Sequence, residues 1–315
     1  MIIAVLVLWV IAALLILWEQ RIARIIIYLG VFSLVSALSY LLFGSPDVAM
    51  AEAATSAFST IFFIICFEKY FRRGNVKIED DAPTDRASWP VVAGGLVFVL
   101  ILFGLVIYTT PEITNIRPLM EGYLTNFFDD IGGQNAVTAV YLGYRIYDTL
   151  FEALMVVISV VAVVHMSAFR EKTVSDGEHS EIENSRMAVF AIQIICPVML
   201  MYGVYLILNG HLTPGGGFQG GLAAAAFFIC RYMIYDVYDL PIGKLAKLEE
   251  MVFIGIVIFA ISVVFLGAAS FAPIAYQPVL QNIYLLLINA LIGLKVACGF
   301  IILFYRYIAI EGKLN

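Results

Sequence analysis

The chain has 315 residues, 62% of them hydrophobic and 13% charged, with 18 Lys and Arg against 24 Asp and Glu for a net charge of −6. An average soluble domain is roughly half apolar and about a quarter charged, so this composition excludes a pair of soluble domains and describes an integral membrane protein. The acidic balance leaves no basic patch to neutralise a phosphate backbone, which excludes a nucleic-acid binder.

A spanning helix needs roughly 20 apolar residues. Nine segments meet or approach that length: 2–17, 22–43, 46–67, 88–109, 147–168, 187–208, 217–235, 251–268 and 282–305. Alternating strand patterning is absent, so the expected fold class is all-α, a polytopic membrane protein rather than a β-barrel. The first segment ends at Trp18-Glu19 with no basic start and no small-residue cleavage site, and it reads as a retained helix rather than a signal peptide.

Two charged linkers, Lys77–Arg86 (KIEDDAPTDR) and Glu171–Arg186 (EKTVSDGEHSEIENSR), divide the spans 3+2+4. The expected organisation is a three-helix module at 1–75, a linker at 76–87, a two-helix module at 88–170, a linker at 171–186 and a four-helix domain at 187–315. With the amino terminus outside, the cytoplasmic pieces hold fifteen of the 18 Lys and Arg, the outer pieces only Arg117 and Arg145, and Lys295 lies inside a span. That bias places the carboxyl terminus in the cytoplasm. Cys66, Cys196, Cys230 and Cys298 stand singly in apolar runs without the spacing of a zinc or iron–sulfur site, so no redox centre or cofactor is expected in this chain.

A charge at the centre of a spanning helix costs roughly 2.5–3.5 kcal/mol, which singles out three places. In SPDVAMAEA, Ser45-Pro46 is a helix start and Asp47 sits in the first turn, where the dipole favours an anion. Glu52 lies about 26 Å up the helix from Lys69, too deep for a cap, among small neighbours that suit close packing. In NAVTAVYLGYRIYDTLFE, Arg145, Asp148 and Glu152 follow i, i+3, i+7 spacing, so a continuous helix would put them on one face, either as a static cluster or as a titratable group tuned by a cation. Glu152 stands about 27 Å above Arg170, level with Glu52. One helix from Asn135 to Arg170 would measure about 54 Å, well beyond a bilayer, so a break or an outer-surface helix is expected before Gly143. The third place is Lys295, about 16 Å from Arg306 and about 20 Å from Asn282. Its stem cannot snorkel that far, which leaves it as a proton carrier or as the partner of a carboxylate on a neighbouring subunit.

Of the histidines, His165 lies about one turn inside the cytoplasmic boundary and could mark an exit, and His179 falls in a solvated linker. His211 opens the loop HLTPGGGFQGG, where Pro214, Gly215, Gly216, Gly217, Phe218, Gln219, Gly220 and Gly221 read as a tightly folded structural turn with close helix approach, and an entrance role is open to His211. The Lys-Ser/Thr ending of a phosphate loop is missing.

PGGGFQGG and the later GLKV around Lys295 resemble the B subunit of Mrp-type multisubunit Na⁺/H⁺ antiporters, an MnhB domain. SPDVAMAEAA resembles the three-helix region near the end of the large Mrp A subunit, and NAVTAV…YRIYDTLFE the two-helix region that follows it. Related subunits occur in Mbh-type membrane-bound hydrogenases and sulfur-reducing complexes. Gly143 stands where the A-subunit pattern has an acidic residue. The large antiporter-like part of the A subunit is absent, so separate subunits are expected to supply it. The resemblance implies a non-redox subunit of a Na⁺(cation)/H⁺ antiporter in a prokaryotic cell membrane, partnered by large antiporter-like and small membrane subunits. Glu52, Asp148, Glu152 and Lys295 are the carried-over ion-path residues, with Asp47, Arg145, His165 and His211 beside them. The alternatives are the same module in a respiratory complex, whose iron–sulfur or nickel centres would lie in partner subunits, and a scaffold whose buried charges are static pairs.

Overall fold

The computed structural model describes residues 2–67, 97, 101, 118–166, 186–235, 240–269 and 278–309, and the described residues are helical without strands. The expected span 88–109 and both linkers fall essentially outside them. The helices are α1 (Ile2–Trp18), α2 (Ile22–Leu42), α3 (Pro46–Phe67), α4 (Pro118–Asp130), α5 (Ala136–Ala139), a π-helical turn (Val140–Tyr144), α6 (Ile146–Met166), α7 (Arg186–Asn209), α8 (Gly217–Tyr235), α9 (Ile242–Ala269) and α10 (Pro278–Ala309). Among the described residues five helices are long and apolar enough to cross a membrane: Ile22–Leu42, Pro46–Phe67, Ile146–Met166, Val189–Asn209 and Gln281–Tyr307, with Ala4–Trp18 a shorter apolar helix.

The local reasons are readable at the joints. Glu19 opens α2 by accepting from the backbone N–H groups of Gln20 and Arg21 at 3.0 and 3.1 Å. At the other end of α2, Gly44 adopts φ +75°. This left-handed residue lets Ser45 N–H reach Tyr40 O and Gly44 N–H reach Leu41 O, a helix-terminating pair of bonds that favours glycine. Pro46 then starts α3 at a position where its missing N–H costs nothing. α1 lies on α2, where Trp9 Nε1 donates to Ser36 Oγ at 2.5 Å and the Trp9 ring stacks on Phe32 at 5.1 Å.

α10 is the central post. Its Leu285, Ile288, Ile292, Val296, Ile301 and Phe304 are buried against Leu222, Ala225, Ala226 and Ile229 of α8 and Val252, Ile256 and Ala260 of α9, and Phe58 of α3 joins the same core. Phe58 meets Phe300 edge-on at 4.8 Å. The expected helix break is present: α4 ends at Asp130, Gly132 and Gly133 both take φ +82°, and α5 restarts at Asn135. A second interruption follows at Arg145, where φ −125° and ψ 38° leave the helix. Arg145 is therefore not on one continuous helix with Asp148 and Glu152.

PGGGFQGG is half loop and half helix, as the expected span from 217 has it. Gly217 already begins α8, and of the motif's glycines only Gly215 has a positive φ, +148°. The other glycines serve close approach. A Cβ on Gly221 would lie 2.6 Å from the Gly293 carbonyl oxygen of α10, and one on Gly220 would lie 2.5 Å from the Gly203 carbonyl oxygen of α7. α8 thus presents glycine to a helix on either side. Gly221→Ala is expected to destabilise the protein by about 1–3 kcal/mol through overpacking, read as a lower thermal midpoint of the purified protein in detergent. Gly255→Ala in α9, where a Cβ meets nothing within 4 Å, should leave that midpoint unchanged or raise it.

Candidate functional site

Two polar clusters lie in the bundle, and α10 borders both. The first centres on Asn135. Its Oδ1 accepts from Val137 N and Thr138 N and caps α5. That fixes the amide so that Nδ2 donates to Asp47 Oδ1 at 2.8 Å, Thr213 O at 3.2 Å and Gly210 O at 3.3 Å. Asp47 Oδ1 also accepts from Gly215 N at 3.1 Å. Asp47 is buried and does more than sit in a helix dipole, since it ties the start of α3 to the loop after α7. His211 belongs to the same knot through its backbone oxygen, which accepts from Gln134 N and Asn135 N at 2.8 and 3.2 Å. Burial pushes the His211 imidazole pKa below its ordinary value, with the Leu208 carbonyl pulling the other way.

From this knot the polar chain continues toward α10. Thr138 Oγ1 donates to Gly210 O at 2.6 Å and lies 3.4 Å from the Tyr141 hydroxyl. Tyr141 donates to Asn289 Oδ1 at 3.3 Å, and Gly217 N donates to the same oxygen at 3.1 Å. Asn289 is fully buried, and its Nδ2 has no hydrogen-bond partner among the described residues. An unmatched buried amide is costly and marks a place for a water.

The second cluster surrounds Lys295. Its Nζ pairs with Glu249 Oε1 at 3.2 Å, with both side chains almost completely buried. The Phe253 ring lies 5.8 Å from the ammonium. The partner expected on a neighbouring subunit is thus supplied by this chain. α9 begins at Ile242, about two turns before the expected span, and this carries Glu249 into the bundle. The carboxylate faces the turn of α10 that holds Lys295 and Gly299: a Cβ on Gly299 would be 4.0 Å from Glu249 Oε1 and 2.8 Å from Val156 Cγ1 of α6.

Val156 therefore rests on Gly299, Val160 packs with Ile302, and Tyr284 donates to Leu142 O at 2.7 Å. These contacts advance together along both chains, so α6 and α10 run parallel. Glu152 and Lys295 each precede the Val156–Gly299 contact by four residues and stand at one level. Glu152 itself is exposed on the isolated chain, among exposed Phe151, Met155 and Ile158.

The remaining sequence candidates stand apart from these two clusters. Ser33 of α2 donates to Glu52, which is half-buried. Asp148 pairs with Arg145, and both are exposed. His165 is exposed near the end of α6. Gly143 has its own cause, because the Ile131 side chain occupies the space that a Cβ would need. A side chain there would require Ile131 to move. Sequence reasoning missed Glu249 and Asn289.

The fold and the site define a polytopic helical membrane protein with a charged layer inside its bundle. Residues 187–311 match the family described as a domain related to the MnhB subunit of Na⁺/H⁺ antiporter, and residues 7–72 match the MbhD family. The chain is 27% identical over 186 residues to "Na(+)/H(+) antiporter subunit A1" of Staphylococcus haemolyticus (strain JCSC1435), covering 59% of this chain and 22% of the relative. Against the protein of that name in Staphylococcus aureus (strain Newman) it is 29% identical over 174 residues, covering 55% and 21%. The chain thus spans about a fifth of the length of these relatives. In fold it resembles a chain of the Mrp complex from Dietzia sp. DQ12-45-1b, with TM-score 0.63 and 18% identity over 94% of this chain and 34% of that one. It also resembles a chain of the membrane-bound sulfane sulfur reductase, an archaeal respiratory membrane complex, with TM-score 0.52 and 23% identity over 67% and 95%.

Asn135→Asp keeps the α5 cap but sets a second carboxylate beside Asp47. It is expected to cost about 2 kcal/mol or more. Adding Asp47→Asn should recover only part of that loss, since it removes the carboxylate pair but leaves a carboxylate at position 135 facing the Gly210 and Thr213 carbonyls without a donor. The four thermal midpoints of this double-mutant cycle are the check.

Proposed function

We propose that this chain is a non-redox subunit of a Na⁺(cation)/H⁺ antiporter of the Mrp/Mbh type, and that its α6–α10 charge layer belongs to the ion pathway. The observation that carries the reading is the pairing of levels: an exposed carboxylate, Glu152, stands beside a buried ammonium, Lys295, in the middle of apolar helices. The MnhB-related and MbhD matches support it, as do relatives named as antiporter subunits.

In this reading the chain crosses the membrane nine times in a 3+2+4 order, with the amino terminus outside and the carboxyl terminus in the cytoplasm of a prokaryotic cell. Glu152 and Glu52 receive the cation or proton in the outer half. Lys295 answers electrostatically, and His165 lies near the exit. Asp47 and His211 hold the loop at the entrance, with Arg145 and Asp148 at the outer surface. A carboxylate facing lipid on α6 would cost roughly 2.5–3.5 kcal/mol, which favours a partner membrane subunit covering Glu152 and its apolar neighbours. Na⁺ and H⁺ are cargo, and the chain brings no cofactor.

A second reading, favoured by the MbhD match and the fold likeness to a respiratory complex, puts the same layer in a redox-driven pump with its metal centres in other subunits. Glu152→Gln and Glu52→Gln are each expected to lower Na⁺-dependent proton movement in membrane vesicles about tenfold or more at equal complex content. Wild-type transport by both variants would leave the scaffold reading. Iron and nickel assayed on the purified complex separate the first two readings: abundant iron marks the redox-driven pump, and a metal-free complex marks the antiporter.

A further inference from the structure

We propose that Glu249 is a further residue of the ion pathway, and that Lys295 is shared between Glu249 on α9 and Glu152 on α6. The inference rests on the proposed function and adds to it the charge arithmetic of the site. Among the described residues Glu249 pairs with Lys295 and Glu152 stands at its level, so two carboxylates and one ammonium, all ionised, carry one uncompensated negative charge. One monovalent cation or one proton neutralises it. The two therefore compete for the same charge, which is the minimal condition for exchanging them at one place.

The geometry permits the sharing. Glu249 Oε1 holds the ammonium at 3.2 Å from one side. Gly299 has no side chain between Glu249 and α6, so that Val156 closes directly over it and Glu152 lies one turn before Val156, level with Lys295. With a cation on Glu152 the ammonium rests on Glu249. When the cation leaves, the ammonium is drawn toward Glu152, and the Glu249 carboxylate is free to take a proton. No covalent bond changes, and the total charge of the cluster is the same with Na⁺ or with H⁺ bound.

The test uses the assembled complex and reads the half-saturating concentration for binding of radioactive Na⁺, normalised to complex content. Glu249→Gln leaves Lys295 only Glu152 to neutralise. The half-saturating Na⁺ is expected to rise about tenfold or more, because an opposite charge within about 4–6 Å shifts a carboxylate equilibrium by one to three powers of ten. Adding Lys295→Met removes that rival and should return the value to within about threefold of wild type. Replacing a buried pair by neutral groups of similar size is often tolerated by the fold. An unchanged half-saturation in Glu249→Gln, or a rise that Lys295→Met does not reverse, overturns the proposal.

If Glu249→Gln does not assemble, infrared difference spectra of the wild-type complex on Na⁺ addition decide. The carboxyl band identified as Glu249 by its displacement in Glu249→Asp must respond, and a silent band overturns the proposal. Glu152→Gln run alongside separates the two levels. Its impairment with a wild-type Glu249→Gln response removes only this inference, whereas wild-type transport by Glu152→Gln removes the pathway reading beneath it.

Discussion

Close backbone approach along α8 is the constraint on which the rest of the bundle depends. Within a bilayer the tails are as apolar as leucine, so burying apolar surface does little to bring helices together, and small residues with good packing take over that role. Gly203 and Gly220 bring α7 to α8, while Gly217, Gly221 and Gly293 bring α8 to α10. The same approach lets the Gly217 N–H bond to Asn289 on α10. A Cβ at Gly217 or Gly221 would crowd the α10 backbone and strain that bond. The loop glycines and the buried lysine, far apart in the chain, are therefore parts of one arrangement.

Charge burial imposes the second condition. Lys295 and Glu249 are both withdrawn from solvent, and separating either from the other would leave an unpaired ion at a cost of about 3–5 kcal/mol. Apolar residues of similar volume would fill the same space more cheaply, so stability alone does not account for this pair. The neighbouring Glu152 does suggest a reason. A salt bridge that only braced α9 on α10 has no need of a second carboxylate at the level of its ammonium.

The sequence made the described helices legible because their apolar runs are long and their joints carry Pro46, Gly44 and Asn135. It also exposed Lys295, Glu52 and Glu152, since a charge inside an apolar run stands out by itself. Glu249 did not stand out. It sits in KLAKLEE, beside Lys244, Lys247 and the exposed Glu250, and the stretch reads as a solvated end. The signal lay in register: Glu249, Val252, Ile256 and Ala260 recur at helical spacing and are all buried. Glu249 occupies the apolar face of a helix that starts after Pro241, whereas Glu250 falls on the opposite side. Asn289 was hidden differently, because an uncharged amide in LLLINALIGLK is ordinary until Gly217 N is placed against it. The pairings themselves, Asp47 with Asn135 across 88 positions, depend on how helices dock. Hydropathy and local spacing hold no information about that.

The Asn135 knot bears on how the parts of this chain recognise one another. Asp47 comes from the segment similar to the MbhD family, Asn135 from the segment before α6, and Gly210, Thr213 and Gly215 from the segment similar to the MnhB-related family. Apolar helix faces in a bilayer slide and rotate against each other with little penalty. A carboxylate that must meet one amide and one N–H does not. Asn135 can satisfy its α5 cap, Asp47 and the two carbonyls only when all three segments are in register, so a shift of one helical turn leaves several buried polar groups without partners, each worth about 1–3 kcal/mol. The knot thereby sets the height of α5 and the π-helical turn, and through Tyr141 and Asn289 the height of α10 beside α6. The level match between Glu152 and Lys295 follows from that registration rather than from any contact between the two residues.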